Sequence, residues 1–320
     1  MPPKASDFLA GVIAIALICS LLFFLWRGME ELTAAAPPVV SPAVIVSHPQ
    51  PKPIASLPEI APLILPPLAQ ENHTEHYTEA LESAITAPNP VAVEQQRRRF
   101  RQPVIALVID DCGLGLHGTH AAIALPPEVT LAFLPYGRRA RALSKTAGAR
   151  GHDVILHMPM QPMGDEDPGP APLTMNLSPE QVRQRVQEAF AAVPSAIGLN
   201  NHMGSRFTAD AVALRPVMQE IKSRRLFFLD SVTSPRSAGS IAARQAGVPT
   251  LARDVFLDNV ISPQSIEVQL ALTESVARRN GSAIAIGHPH PATLQALGKW
   301  LPALERRGFK LVRLKELLGP

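Results

Sequence analysis

Two adjacent carboxylates, Asp110 and Asp111, follow directly on the apolar run Val104–Ile109 and are themselves followed by Cys112 and Gly113. A continuous Val/Ile/Leu run is the pattern of a strand covered on both faces, and a glycine beside it permits a tight turn. Two ionisable groups at such a strand end need a cation, a proton or water, because an unpaired carboxylate is costly to bury. Other apolar runs end in groups that ligate metal or move protons: His157, then Asn200-Asn201-His202, then Asp230-Ser231, then Gly287-His288-Pro289-His290. A carboxylate with two histidines is a three-donor set with open positions, suited to Zn²⁺ or a similar divalent ion. Asp111, His157 and His202 are the expected ligands. Asp110 is then the expected general base beside a metal-bound water, and His288 the general acid for a leaving group. Asp230 is expected to orient a catalytic side chain or bind substrate, with capping of the following segment as its alternative. Asp254 and Asp258 stand open between a rim network and capping. His290 is expected beside the site or on the surface, His152 before a strand as structural, and Cys112 as a packed thiol.

Positioning these groups at one place requires a particular architecture. From Arg101 onward, strand-like runs recur at Val104–Ile109, Val129–Leu134, Val154–Leu156, Ile197–Leu199, Leu226–Leu229, Val248–Leu251, Ala283–Ile286 and Phe309–Val312. Helical patterns lie between most of them, over 138–149, 178–192, 209–224, 265–280 and 291–307. Ser178-Pro179-Glu180-Gln181 carries a helix start, with an N-cap serine and proline at the first helical position. This rhythm predicts an α/β fold, a distorted (β/α) barrel of 7–8 parallel strands. In such a barrel the chemistry collects where strands end and βα loops begin, which is where the residues above fall.

The chain ahead of the barrel reads differently. Residues 1–30 contain a run from Phe8 to Trp26 without a charge, long enough to cross a bilayer as a helix, and are expected to form a membrane anchor. Residues 31–100 read as a disordered tether, with ten prolines between Pro37 and Pro67. From Gly28 to Gln96 the only Lys or Arg is Lys52, which favours export of that side, so the expectation is a single-pass inner-membrane protein with its barrel in the periplasm. The net charge of +3 and 5% aromatic content carry no basic stripe interleaved with aromatics, which argues against nucleic acid as a partner. Two cysteines, Cys19 and Cys112, make no disulfide framework.

Ile109-Asp110-Asp111, the strand-end His157, Asp230 and Ile286-Gly287-His288 together resemble the polysaccharide deacetylases of the NodB-homology type. Asn200-Asn201-His202-Met203-Gly204-Ser205 and Gly287-His288-Pro289 resemble phrases of their divergent branch, and the resemblance covers about 103–318. It implies metal-dependent removal of acetyl groups from amino sugars, with Asp110 as base, Asp111 and His157 as ligands and His288 as acid. Three departures stand out. The histidine usual four residues after His157 is Gln161, the usual Arg-Pro motif is replaced by Asn200-Asn201-His202, and Cys112 stands where glycine is usual. His202 is expected to replace the missing ligand from another strand.

Two functions follow as expectations. One is a membrane-anchored hydrolase acting on an acetylated amino-sugar polymer of the envelope. The other is a catalytically degraded module that binds glycan or an envelope protein partner through the same rim. The Pro-rich segment from Pro159 to Leu177 is expected to lie over the barrel mouth or to be disordered.

Overall fold

The first strand of the barrel, β1 (Val104–Cys112), is buried along its whole apolar run and pairs in parallel on both sides. The structure, a computed structural model, describes residues 99–319. The expected anchor and nearly all of the expected tether lie outside the described residues, and among the latter no helix is long and apolar enough to cross a membrane.

After β1 the chain continues through α1 (Leu116–Ile123), β2 (Thr130–Phe133), α2 (Ala140–Ala149), β3 (Val154–Met160), α3 (Pro179–Ala192), β4 (Gly198–Met203), α4 (Ala211–Ser223), β5 (Phe227–Asp230), α5 (Gly239–Ala246), β6 (Thr250–Ala252), β7 (Val255–Phe256), α6 (Pro263–Asn280), β8 (Ser282–Gly287), α7 (Pro291–Trp300) and the short β9 (Lys310–Leu311). The helix starts follow from local chemistry. Ser178 and Gln181 form a reciprocal capping box at α3, and Asp210 and Ser262 cap α4 and α6 through their side chains. The expected helix over 291–307 ends at Trp300 and gives way to two 3₁₀ turns.

All strand pairs are parallel, in the order β6-β5-β4-β3-β2-β1-β8-β7. The two ends of that order are one chain segment. Residues 250–253 pair with β5, ending at Arg253 N–H to Asp230 O (3.0 Å); residues 254–257 pair with β8, starting at Asp254 N–H to Ile284 O (2.9 Å). The partner switch at Arg253-Asp254 closes the ring and makes it a distorted barrel. The expected eighth strand near 309–312 is β9, which sits beside the start of β1, outside the ring. Asp254 also settles here: its carboxylate accepts from Ile284 N at 2.8 Å, so it caps the sheet edge.

Side chains alternate between two apolar layers, as period-2 strands require. Val104, Ala106 and Val108 meet Ile155, Phe227, Leu229, Ile284 and Ile286 inside the barrel. Ile105, Leu107, Ile109, Leu156, Leu199 and Phe228 pack outward against the helices. Carried to the strand ends, the inward parity belongs to Asp110, His157, Asn200, His202 and His288; Asp230 has the outward parity of Phe228. His152, buried between Val129 O (2.8 Å) and Ile123 O (3.1 Å), ties loops together away from this end, as its position before β3 implies.

Arg253 fastens the closure. Its Nε and Nη2 donate to Ser231 O and Val232 O, each at 2.7 Å, and its guanidinium lies 5.1 Å from the centre of the Phe256 ring. Arg253→Ala leaves both carbonyls without their charged donor and is expected to cost roughly 2–4 kcal/mol of unfolding free energy. Urea denaturation of the variant checks this, and an unchanged midpoint would show that the ring closes without it.

Candidate metal centre and its acid–base partners

In a regular strand Asp110 and Asp111 would point to opposite faces. The register of β1 against β2 slips between Ile109 and Cys112, and Asp111 takes a left-handed backbone (φ 54°). This bulge turns Asp111 back toward the barrel mouth, so that both carboxylates approach the same histidine: His157 Nε2 lies 3.6 Å from Asp110 Oδ2 and 3.3 Å from Asp111 Oδ1. Strain of this kind is held only where the surroundings enforce it. Gly113 (φ 102°) completes the turn, and its N–H is taken by Thr119 Oγ1.

Three expected ligands converge. Asp111 Oδ1 is 3.0 Å from His202 Nδ1 and 3.3 Å from His157 Nε2, while the two imidazole nitrogens are 3.1 Å apart. Among the described residues these imidazole nitrogens are what the buried Asp111 Oδ1 faces, and it has no other hydrogen-bond donor. Ligand bonds of about 2.0–2.2 Å separate ligating atoms by about 3.0–3.5 Å, so the triangle has the size that a small divalent cation requires. Nearby imidazoles outweigh the cost of burial and hold the Asp111 carboxyl well below the usual carboxylate range.

The protons of the site follow from one residue. Asn200 Nδ2 lies 2.9 and 3.1 Å from the two oxygens of Asp110, a group that only accepts when ionised. Its Oδ1 therefore faces His157 Nδ1 at 2.9 Å, and that nitrogen must be the donor. The lone pair of neutral His157 is left on Nε2, the atom in the triangle. Asn200 thus fixes the tautomer of His157 and gives Asp110 a partner of its own beside the donor triangle. Ser231 Oγ accepts from the same amide at 3.1 Å, and Asn201 braces the next turn through Ser231 N, Thr233 Oγ1 and Met203 O. Burial pushes the Asp110 carboxyl upward, opposed by His157, His288 and the Asn200 hydrogen bond.

His288 enters from the far side of the barrel. Its Nε2 is 3.9 Å from Asp111 Oδ2, and its Nδ1 donates to Asp258 Oδ1 at 2.9 Å. Asp258 Oδ2 takes the His288 backbone N–H and the Thr293 hydroxyl, both at 2.7 Å. Burial alone would lower the imidazole; Asp258, Asp110 and Asp111 raise it from 6.5 to about 9. The ring packs edge-on to Phe256. Asp258, left open between two roles by its sequence position, orients His288. Asp258, His288 and His290 also gather ligating atoms, but both Asp258 oxygens are committed to hydrogen bonds. The Gly118 position lets α1 approach this turn, since a Cβ there would lie 2.7 Å from Pro289 O.

Asp230 corrects the expectation of a catalytic role. Its carboxylate accepts from Ser237 Oγ (3.0 and 2.9 Å), Val232 N (3.0 Å) and Ser240 N (3.1 Å), in the outer layer at the start of α5. It caps that turn. Cys112 is fully buried, donates toward Ile109 O, and has its thiol pushed up by burial, so it is no ligand of the triangle. Gln161, in the place of the usual histidine, accepts from Met175 N at 2.9 Å and pins the β3–α3 loop. That loop is ordered: Leu173 bridges to β3 and is buried.

A family model described as divergent polysaccharide deacetylase matches residues 107–318. The chain is 39% identical over 193 residues to the uncharacterized protein YibQ of Escherichia coli K12, a match spanning 60% of each chain, so it covers less than two thirds of that relative. It is 41% identical over 201 residues to an uncharacterized protein of Haemophilus influenzae, covering 62% of this chain and 71% of the other. The crystal structure of an uncharacterized protein from Agrobacterium tumefaciens C58 is similar at a TM-score of 0.66 and 33% identity, over 71% of this chain and 94% of that one.

Isothermal titration with Zn²⁺ discriminates these roles. Asp111→Ala is expected to abolish binding, Asn200→Ala to weaken it about 10–100-fold by freeing the His157 ring, and Asp230→Ala to leave it unchanged while lowering thermal stability. Undiminished affinity in Asn200→Ala would dissociate the asparagine from the metal centre.

Proposed function

This chain belongs to the divergent polysaccharide deacetylase family, and on that premise we propose that it is a metal-dependent hydrolase removing acetyl groups from amino sugars of an envelope glycan. One observation carries the reading: the two adjacent carboxylates have separate partners, Asp111 in the donor triangle and Asp110 on Asn200, with an oriented acid facing them. A degraded glycan-binding or partner-binding module would have no use for an acid whose imidazole is held protonated by a buried aspartate.

Asp111, His157 and His202 would hold a divalent ion, Zn²⁺ by the mix of nitrogen and oxygen donors. Such an ion supplies Lewis-acid polarisation of a carbonyl and lowers the pKa of water at the site. Asp110, next to this point and kept out of the ligand set, accepts the proton of the attacking water. His288 delivers its Nε2 proton to the departing sugar amine, while Asp258 holds the ring and stabilises its charge. Burial of Asp110 and His157 keeps bulk water from screening these charges.

The cellular setting comes from the sequence. The uncharged run Phe8–Trp26 would anchor the chain in the inner membrane, and the Pro-rich stretch would hold the barrel in the periplasm, within reach of an acetylated amino-sugar polymer.

Acetate release from acetylated glucosamine oligomers by the Zn²⁺-loaded chain tests the reaction. Asp110→Asn and His288→Gln are expected to keep the metal and lose about 10²–10⁴-fold in kcat; full activity in either removes that residue from the mechanism. The pH profile has a fixed sign. His288 titrates in the folded protein at about 9 instead of 6.5, so the acid form, with the stability of its pair with Asp258, is complete below pH 6.5 and lost as pH rises through about 9. Activity of the Zn²⁺-loaded chain should therefore fall along an alkaline limb, and His288→Gln should erase that limb.

A further inference from the structure

Beyond the triangle, β3 and β4 continue into the walls of a second cavity. Gln161 and Arg206 each lie four residues past a ligand histidine, His157 and His202, and so within about 14 Å of chain reach from it. With Thr174, Met175, Asn176 and Arg185 they line a cavity of about 480 Å³ on the same rim of the barrel. Its polar groups are biased to donors. Gln161 Oε1 is occupied by Met175 N, which turns the Nε2 hydrogens free. Asn176 Oδ1 is occupied by the Thr174 hydroxyl, with the same result. Arg185 spends one guanidinium N–H on Pro172 O; Arg206 donates its backbone N–H to Gln161 O at 3.2 Å, and its guanidinium has no hydrogen-bond or ion-pair partner among the described residues. No carboxylate is among the described residues that line the cavity.

Two guanidinium groups and two amide donors facing one concavity without an acid are matched by an anion with several oxygens, since Arg forks pair with carboxylate and phosphate. We propose that this cavity is a subsite for an acidic substituent of the glycan, a carboxylate or a phosphate borne on a sugar displaced along the chain from the one being deacetylated. Gln161 belongs to it twice: it replaces the usual histidine, leaving that ligand to His202, and it pins the loop that forms the cavity wall. The subsite rests on the hydrolase reading above for its substrate. It adds that the substrate polymer is acidic.

The test compares binding of three acetylated glucosamine oligomers of equal length by the full, Zn²⁺-loaded chain: one neutral, one with carboxylate-bearing ether groups, one with phosphate esters. At least one acidic oligomer should bind about tenfold tighter than the neutral one, as charge-assisted hydrogen bonds allow, and the one that does so identifies the anion. Arg185→Gln with Arg206→Gln should remove the preference, so that the acidic oligomers bind no tighter than the neutral one. Arg206→Gln alone, at an exposed position that disturbs no internal bond, should remove part of it, with partial recovery in Arg206→Lys. Equal or absent binding of all three oligomers by the unaltered chain, or a preference that survives in both glutamine variants, overturns the subsite. Acetate release is scored separately. An arginine-dependent preference without turnover of any oligomer contradicts the hydrolase reading and supports the subsite; turnover without an acidic preference does the reverse.

Discussion

Two neighbouring carboxylates on one strand can do different work at one site only if the backbone aims both at it and their surroundings give them different partners. The bulge at Asp110-Asp111 meets the first condition, against the alternation that would send Asp111 into the helix layer. Asn200 meets the second. Its amide takes Asp110, its carbonyl takes the His157 ring, and the two bonds together decide which nitrogen of that ring faces Asp111. Remove the bulge and the triangle loses a corner; remove the amide and the two carboxylates lose their separate partners.

The barrel serves this arrangement. Parallel strands bring five inward-facing positions, from β1, β3, β4 and the end of β8, to one end of a closed ring. The short segment 250–257 completes that ring by changing partners midway, with Arg253 fastening its carbonyl neighbours. The same segment leads into Asp258, so closure of the barrel and orientation of His288 depend on the same few residues.

Much of this is legible in the sequence. Long apolar runs ending in Asp, His or Asn located β1, β3, β4 and β8, and with them Asp110, Asp111, His157, His202 and His288. The side of the sheet that Asp230 takes is not legible there for a physical reason: Phe227-Phe228-Leu229 is apolar throughout, because both faces of β5 are buried, so hydropathy does not say which face the next residue takes. Asp258 could not be placed, because it follows a two-residue strand whose pairing with β8 is a purely tertiary fact. The role of Asn200 was hidden for a similar reason, since its partners lie 43 and 90 residues away in sequence. Gln161 read as the loss of a ligand; its attachment to Met175 shows the loop and cavity that the exchange supports.

The central claim is that Asp111, His157 and His202 ligate one ion while Asp110 and Cys112 do not. X-ray absorption spectroscopy at the zinc edge, on the Zn²⁺-loaded chain, tests it most directly. The account predicts two imidazole scattering patterns with the remaining neighbours oxygen at about 2.0–2.2 Å and no sulfur. A sulfur neighbour near 2.3 Å, or fewer than two imidazoles, would contradict it.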